Sequence, residues 1–388
     1  QEDLDEAAKG GFGFSAESGE GTLVLSISGY SGKMETFLSM LAQRVCTFKV
    51  DQTSLDVYRE QLRKGIESVE FRQASHLVNM YSSFLLNRNI VHHTKLLTCL
   101  PEITVSDIEG LMNSWRSNFS VEALAMGNID GEEAIKLVTS FKINISSYPN
   151  SNLYTGTIWD GGIKLPDGAD LIYPVTDIAD QNYAINVILQ IGSREDMYLR
   201  ALVNLFEQIF DAPFYQTMRT RKNLGYIVDL GKRIEGLAMS LSMCIQSEHT
   251  DPIELGREID GFLDATVDYV ANMPEADFEM YKETRSKICL ERPKNLDEEL
   301  AGYWDHIITG VYDFKFTKRL YEINNKLSKA DLIDFIQTFV APSAPKRRKL
   351  STQAWPRGKT SRYGDAERGK LVDNLEGFIA RHPSFVHK

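Results

Sequence analysis

The sequence predicts an α+β fold of two homologous domains, each a mostly antiparallel sheet with a helical layer on one face. Three observations predict it. The run 237–245 alternates Leu237, Met239, Leu241, Met243 and Ile245 with smaller or polar residues, which is the period of a strand with one buried face. Leu199, Leu202, Val203, Phe206 and Ile209 recur at helical spacing. Finally, the order of hairpin, run of helices and closing strand occurs twice along the 388 residues.

The second half shows the pattern more clearly. Residues 181–191 (QNYAINVILQI) read as a strand, and 194–210 as a helix. A second, short helix is expected from Asp211, a good N-cap residue, to Gly225, a good residue just past a helix end. The strand Tyr226 to Leu230, a turn through Gly231–Gly236 and the strand 237–245 make an antiparallel hairpin. Helices at about 251–271, 275–290, 296–310 and 329–340 lead to a last strand at about 349–355.

The first half gives the same order. Gly13-Phe14 leads to a turn at Glu17–Gly21 and a strand at 22–28. Helices follow at about 32–45, 52–69, 72–87 and 106–117, and a strand at 121–126 closes the copy. Gly13 matches Gly225 at an offset of 212, and Asp107 matches Asp331 at 224, because the second copy has a longer turn and helix after its hairpin. The second copy opens with a strand and a long helix, at about 170–211, that have no counterpart in the first. The chain is therefore expected to be a fragment whose first sheet has an open edge or a partner that covers it. The expected domains are 1–141 (incomplete, without its opening strand and helix), a linker at 142–168 rich in Asn, Ser, Gly and Pro, and 169–388 with a C-terminal extension.

Composition excludes some functions. A net charge of −11 argues against a general nucleic-acid binder, which needs a basic face. No run of 18 apolar residues is present, so no helical membrane span is expected. Cys46, Cys99, Cys244 and Cys289 are far apart and form no C-x-x-C pair. They read as thiols of a reducing compartment, and a cytoplasmic location is expected. The chain begins Gln-Glu-Asp with no signal-peptide pattern, so its start reads as a cleavage or cloning boundary.

Candidate chemistry is sparse. None of the seven histidines stands in an H-E-x-x-H or H-x-x-E-H helix, and the adjacent His92 and His93 point apart in either kind of element, so no metal ligands are expected in this chain. The glycines around Gly11 precede a strand, the wrong context for a phosphate loop. Lys346-Arg347-Arg348-Lys349 is a candidate polyanion site whose simpler reading is a solvated strand entry. The most informative segment is Met218–Val228, where Arg219 and Tyr226 bracket a helix end and a strand start. The helix dipole accounts for an arginine there, and β-propensity for a tyrosine. Yet the first copy carries Ala7 and Phe14 at the matching positions, so the repeat does not require either polar group. A phenol beside a guanidinium suits stabilisation of an oxyanion and a peptide carbonyl.

At this segment the sequence resembles the C-terminal half of the insulysin (insulin-degrading enzyme) group of pitrilysin-type zinc metallopeptidases. The residues concerned are Met218-Arg219-Thr220, Leu224-Gly225-Tyr226-Ile227-Val228 and Ile245-Gln246-Ser247-Glu248, with further likeness at Pro293-Lys294, Tyr303-Trp304 and 344–349. The resemblance implies the α/β-roll repeat of that family and peptide hydrolysis in a closed chamber. It implies zinc in the complete enzyme but none bound by this chain. The implied partners are an N-terminal catalytic half and peptide substrates, and a second copy of the chain is kept as a candidate. Arg219 and Tyr226 are the implied catalytic and substrate-binding residues. The alternatives are a catalytically inactive scaffold or a peptide-binding protein of the same fold, and the Arg219/Tyr226 pair argues against a pure scaffold.

Overall fold

In the computed structural model, residues 9–19, 22–146, 152–153, 161–359 and 369–385 are described. They fall into two units, one of Gln1–Ile66, His93–Trp159 and Pro293–Gly310, the other of Glu67–His92, Asp160–Arg292 and Val311–Lys388. Neither unit is one continuous stretch of chain. The segment 67–92, from the first repeat in sequence, packs with the second unit.

The first unit starts with the antiparallel hairpin β1 (Gly13–Gly19) and β2 (Thr22–Ser28). Helices α1 (Met34–Thr47) and α2 (Gln52–Glu67) follow. After α3 (Ala74–Leu86), which belongs to the second unit, come α4 (His93–Cys99), α5 (Val105–Ser117), β3 (Asn118–Phe119), α6 (Gly131–Ser146) and β4 (Asn152–Leu153). Ala42, Phe119 and Ile145 form the unit's small core, and Phe12 stacks on Phe37 at 4.8 Å. The strand expected at 121–126 does not form. The chain pairs at Asn118–Phe119 instead, parallel to Asn152–Leu153, and 121–126 has no neighbouring strand among the described residues. The expected linker begins inside α6, and most of it lies outside the described residues, as does Ala7.

The second unit is built on a six-stranded sheet. Its strands are β5 (Asp170–Ile178), β6 (Tyr183–Ser193), β7 (Ile227–Glu235), β8 (Ala238–Ser247), β9 (Lys349–Pro356) and β10 (Lys370–Leu371). The spatial order is β10-β5-β9-β6-β8-β7. The three ladders from β9 to β7 are antiparallel, and the two joining β5 to β9 and β10 are parallel. Between and after these strands stand α7 (Met197–Tyr215), α8 (Pro252–Asp264), α9 (Thr266–Asn272), α10 (Glu275–Leu290), α12 (Phe316–Asn324), α13 (Lys329–Phe335) and α14 (Leu375–Arg381). The helix α11 (Leu296–Ile308) belongs to the first unit.

Alternation along β6 assigns its two faces. Ile185, Val187, Leu189 and Ile191 join the main core with Phe206, Phe210 and Phe214 of α7, Ile259 of α8 and Phe335 of α13. Ala184 and Ile188 face α3, which lies on the opposite side of the sheet with Leu77, Val78, Leu85 and Leu86. Burial on both faces explains why 183–191 reads as a nearly unbroken apolar run. The α3 face also carries a polar seam. Asn186 donates to Asn79 at 2.9 Å, Ser82 bonds Thr352 at 2.9 Å, and Arg233 donates to Ser83 at 2.6 Å. The side chains of Asn79, Ser82 and Ser83 on α3 thus each have a partner on the sheet.

Two further expectations are corrected. No new helix starts at Asp211. α7 runs through Asp211 and Pro213 to Tyr215 and continues as a π-helical turn, Gln216–Arg221. Phe206, Phe210, Phe214 and Met218 are all buried along one face, and that packing outweighs the local signals of Asp and Pro. The turn expected at 231–236 is tighter: β7 extends to Glu235, and only Gly236, at φ +58°, and Leu237 lie between the strands. The elements α4, α6, β5, α12, β10 and α14 were not anticipated by the sequence reading.

Candidate functional site

The site residues sit where α7 hands over to β7. Met218 is fully buried and anchors the π-helical turn. The N–H of Leu224 donates to the Met218 carbonyl at 2.9 Å, and that of Lys222 to Thr217 at 3.0 Å, which closes the loop tightly. Asn223 takes the left-handed conformation at φ +50°, which Asn tolerates better than most residues. At Gly225 a Cβ would sit on the carbonyl oxygen of Gln246 and 2.9 Å from its carbon, so only glycine lets the chain press against β8. Tyr226 follows at once, before the Ile227–Gln246 pair that opens the β7–β8 ladder. Gly225→Ala is therefore expected to cost about 1–3 kcal/mol by overpacking. Chemical denaturation of the purified chain measures this, and an unchanged unfolding midpoint contradicts it.

This construction brings the two predicted residues together. The Arg219 guanidinium carbon lies 4.5 Å from the centroid of the Tyr226 ring and 5.2 Å from that of Tyr215. Such stacking holds a guanidinium by cation–π attraction while leaving its N–H donors available. Arg219 has no ion-pair or hydrogen-bond partner among the described residues, and neither has the hydroxyl of Tyr226, which is 78% exposed. Tyr215 is the member of this group that sequence reasoning missed. Its place at the last residue of α7 became apparent only once that helix was seen to run through Pro213.

Charged side chains cluster between α7 and β7. Burial raises the carboxyl of Asp229 above its usual range, and the charges of Asp211 and Glu207 add to this. Burial, with the Arg200 guanidinium, brings the Lys232 ammonium down to about 8, against the opposing pull of Glu207. Lys232 Nζ donates to Asn204 at 2.8 Å.

Among the described residues, no group of three His, Cys, Asp or Glu side chains is placed to hold a metal ion. The described histidines have other surroundings: His92 packs on Phe84 at 4.8 Å, His382 on Phe378 at 4.2 Å, and His306 is buried. His387 lies outside the described residues. These residues do not fit zinc, and no step at this site is assigned to a metal they hold. The basic cluster is largely neutralised. Arg347 and Lys349 both engage Asp260, at 2.5 and 2.9 Å, and Arg348 pairs with Asp167 at 2.6 Å.

Comparison with known proteins places this geometry in context. A model of the middle or third domain of peptidase M16 matches residues 1–99. A model of the PQQ synthase PqqF-like C-terminal lobe, domain 4, matches residues 205–304. Nardilysin-like protein of Arabidopsis thaliana is 24% identical over 339 residues, and human insulin-degrading enzyme 25% over 340. Each alignment covers 86% of this chain and 33% of the relative, so the chain spans about a third of the length of these relatives. The crystal structure of pitrilysin superposes with a TM-score of 0.82 at 18% identity, over 98% of this chain and 40% of that one.

Fold and matches together set the context: an α+β chain with the fold seen in pitrilysin, similar over residues 1–99 to the middle or third domain of peptidase M16. Along most of its length the chain is similar to insulin-degrading enzyme and nardilysin-like proteins, at 24–25% identity.

Proposed function

We propose that this chain is the half of an insulysin-like zinc endopeptidase that does not hold the zinc, and that it presents Arg219 and Tyr226 to peptide substrates. The observation that carries the reading is the stacked pair itself. A guanidinium and a phenol, both without protein partners among the described residues, are held against one another beside the first pair of a strand ladder. The repeat supports it too, since the first copy has phenylalanine at the tyrosine's position.

In this reading Tyr226 donates its O–H to the oxygen that gains charge as a peptide carbonyl is attacked. Donors fixed in advance at such an oxygen act more strongly than water, because no reorganisation is needed. Arg219 donates to a neighbouring substrate carbonyl and fixes the register of the peptide. Zinc belongs to the complete enzyme and would be held by its other half.

Joining the chain to an N-terminal half, in trans or as one polypeptide, is expected to give peptide cleavage that the chain alone lacks. Arg219→Ala in that assembly is expected to raise KM roughly tenfold with a smaller change in kcat, as loss of a binding contact does. Chelator-sensitive cleavage by the chain alone, or an Arg219→Ala variant equal to its parent, overturns the proposal.

A further inference from the structure

The second unit has a pocket of about 350 Å³ lined by Phe71, Gln73, Ala179, Asp180, Asn182 and Gln246. No role above uses it. Gln246 pairs across the β7–β8 ladder with Ile227, the residue after Tyr226.

The lining residues limit what the pocket can take. It lies at the start of α3, where free N–H groups would normally attract an anion. Here those groups are already used: Ala74 N–H donates to Asp180 Oδ2 at 2.8 Å, and Ser75 N–H to Gln246 Oε1 at 2.9 Å. The Asp180 carboxylate adds negative charge, which disfavours an anion further. Its other oxygen accepts from the backbone N–H of Asn182 at 3.0 Å and from Asn182 Nδ2 at 2.8 Å, so three donors already satisfy this carboxylate.

What remains is amide chemistry. Because Ser75 donates to one end of the Gln246 carboxamide, that end is the oxygen, and Nε2 is left as a donor. Asn182 uses its Nδ2 on Asp180 and keeps its Oδ1 as an acceptor. Gln73 offers both kinds of group, and none of these has another partner among the described residues. Uncharged donors and acceptors side by side complement a peptide group, which carries one of each. Phe71, 78% exposed, adds an aromatic surface at the rim.

We propose that this pocket is a subsite for the main chain of an uncharged, extended stretch of peptide substrate, with Phe71 contacting an apolar or aromatic side chain of that stretch. The proposal rests on the reading of the chain as a peptide-processing half and names where such a peptide is gripped away from Arg219 and Tyr226.

The test is equilibrium binding by the whole chain, followed by fluorescence anisotropy. The probe is a fluorescein-labelled peptide of alternating Phe and Ser with blocked termini. Phe71→Ala and Gln73→Ala change exposed side chains outside the core, so both variants keep the fold. Each is expected to weaken binding roughly three- to tenfold, the scale of losing one contact or hydrogen bond. The same peptide with N-methylated amides is expected to bind as poorly to the parent chain. No saturable binding by the parent overturns the proposal. So do variants within twofold of the parent, even if Arg219→Ala abolishes binding, and in that case the proposed function survives without this subsite. If Phe71→Ala and Gln73→Ala weaken binding but Tyr226→Phe leaves turnover by the joined enzyme unchanged, the subsite stands and the proposed catalytic role fails.

Discussion

Tyr226→Phe is expected to lower kcat of the completed enzyme about a hundredfold, the effect of removing one oxyanion donor. The change isolates the hydroxyl. The phenyl ring remains, so the stacking surface 4.5 Å from the Arg219 guanidinium persists. The strand start also tolerates the substitution, because the first repeat has Phe14 at this position, at the head of its own hairpin. With binding contacts intact, KM is expected to stay within about twofold, which marks a contact made only in the transition state. Steady-state kinetics on the joined enzyme decide it. A variant equal to its parent in kcat removes Tyr226 from the chemistry, and a rise in KM alone makes it a binding residue.

Asp260→Asn is expected to be the most destabilising of these changes, at about 3–5 kcal/mol, the range for removing one partner of a buried ion pair. Arg347 and Lys349 are only 7% and 8% exposed, and both direct their charge at this carboxylate. Asparagine would leave buried Arg347 without a counter-charge and Lys349 with only Asp170, at 3.9 Å. Burial alone would raise the Asp260 carboxyl, but the charges and hydrogen bonds of Lys349 and Arg347 outweigh it and hold the group below its usual range. The folded pKa is thus below the unfolded value of about 4. The triad's contribution is complete above that value and is lost as pH falls through the folded one. Hydrogen exchange of β9, which starts at Lys349, reads the effect within the second unit. The parent is expected to lose protection in acid, and the variant to show lower protection at neutral pH with a flatter acid dependence. A loss of less than about 1 kcal/mol at pH 7 contradicts the reading of this triad as a buried ion network.

The same triad shows what a sequence leaves open. Lys346–Lys349 reads as a basic patch, and nothing near it in the chain announces Asp260, which lies 87 residues before Arg347 and meets Arg347 and Lys349 only through the packing of α8 against the start of β9. Side-chain periodicity is a local signal: it shows that one face of an element is buried, not what buries it. For that reason Leu237–Ile245 and the helix beginning near 197 were legible, while the position of α3 on the far side of the second sheet was not. Asp211 and Pro213 misled for a related reason, because Phe210, Phe214 and Met218 draw the helix past them into a core formed by distant strands. The strand expected at 121–126 had a suitable pattern but no neighbour to pair with among the described residues.

Along the chain alone, spacing and residue type showed the α+β class, the buried faces of 194–210 and 237–245, and a tyrosine set at a strand start by Gly225. These are properties of spacing and residue type along a short stretch of chain. Only the tertiary structure decided that the guanidinium stacks on two tyrosine rings, that the basic cluster is consumed by Asp260 and Asp167, and that three carboxamides meet beside Phe71. The last two depend on contacts between segments far apart in sequence, and the first on α7 running through Pro213 into a core formed by distant strands, so in each case how the buried faces fit together selects the partners.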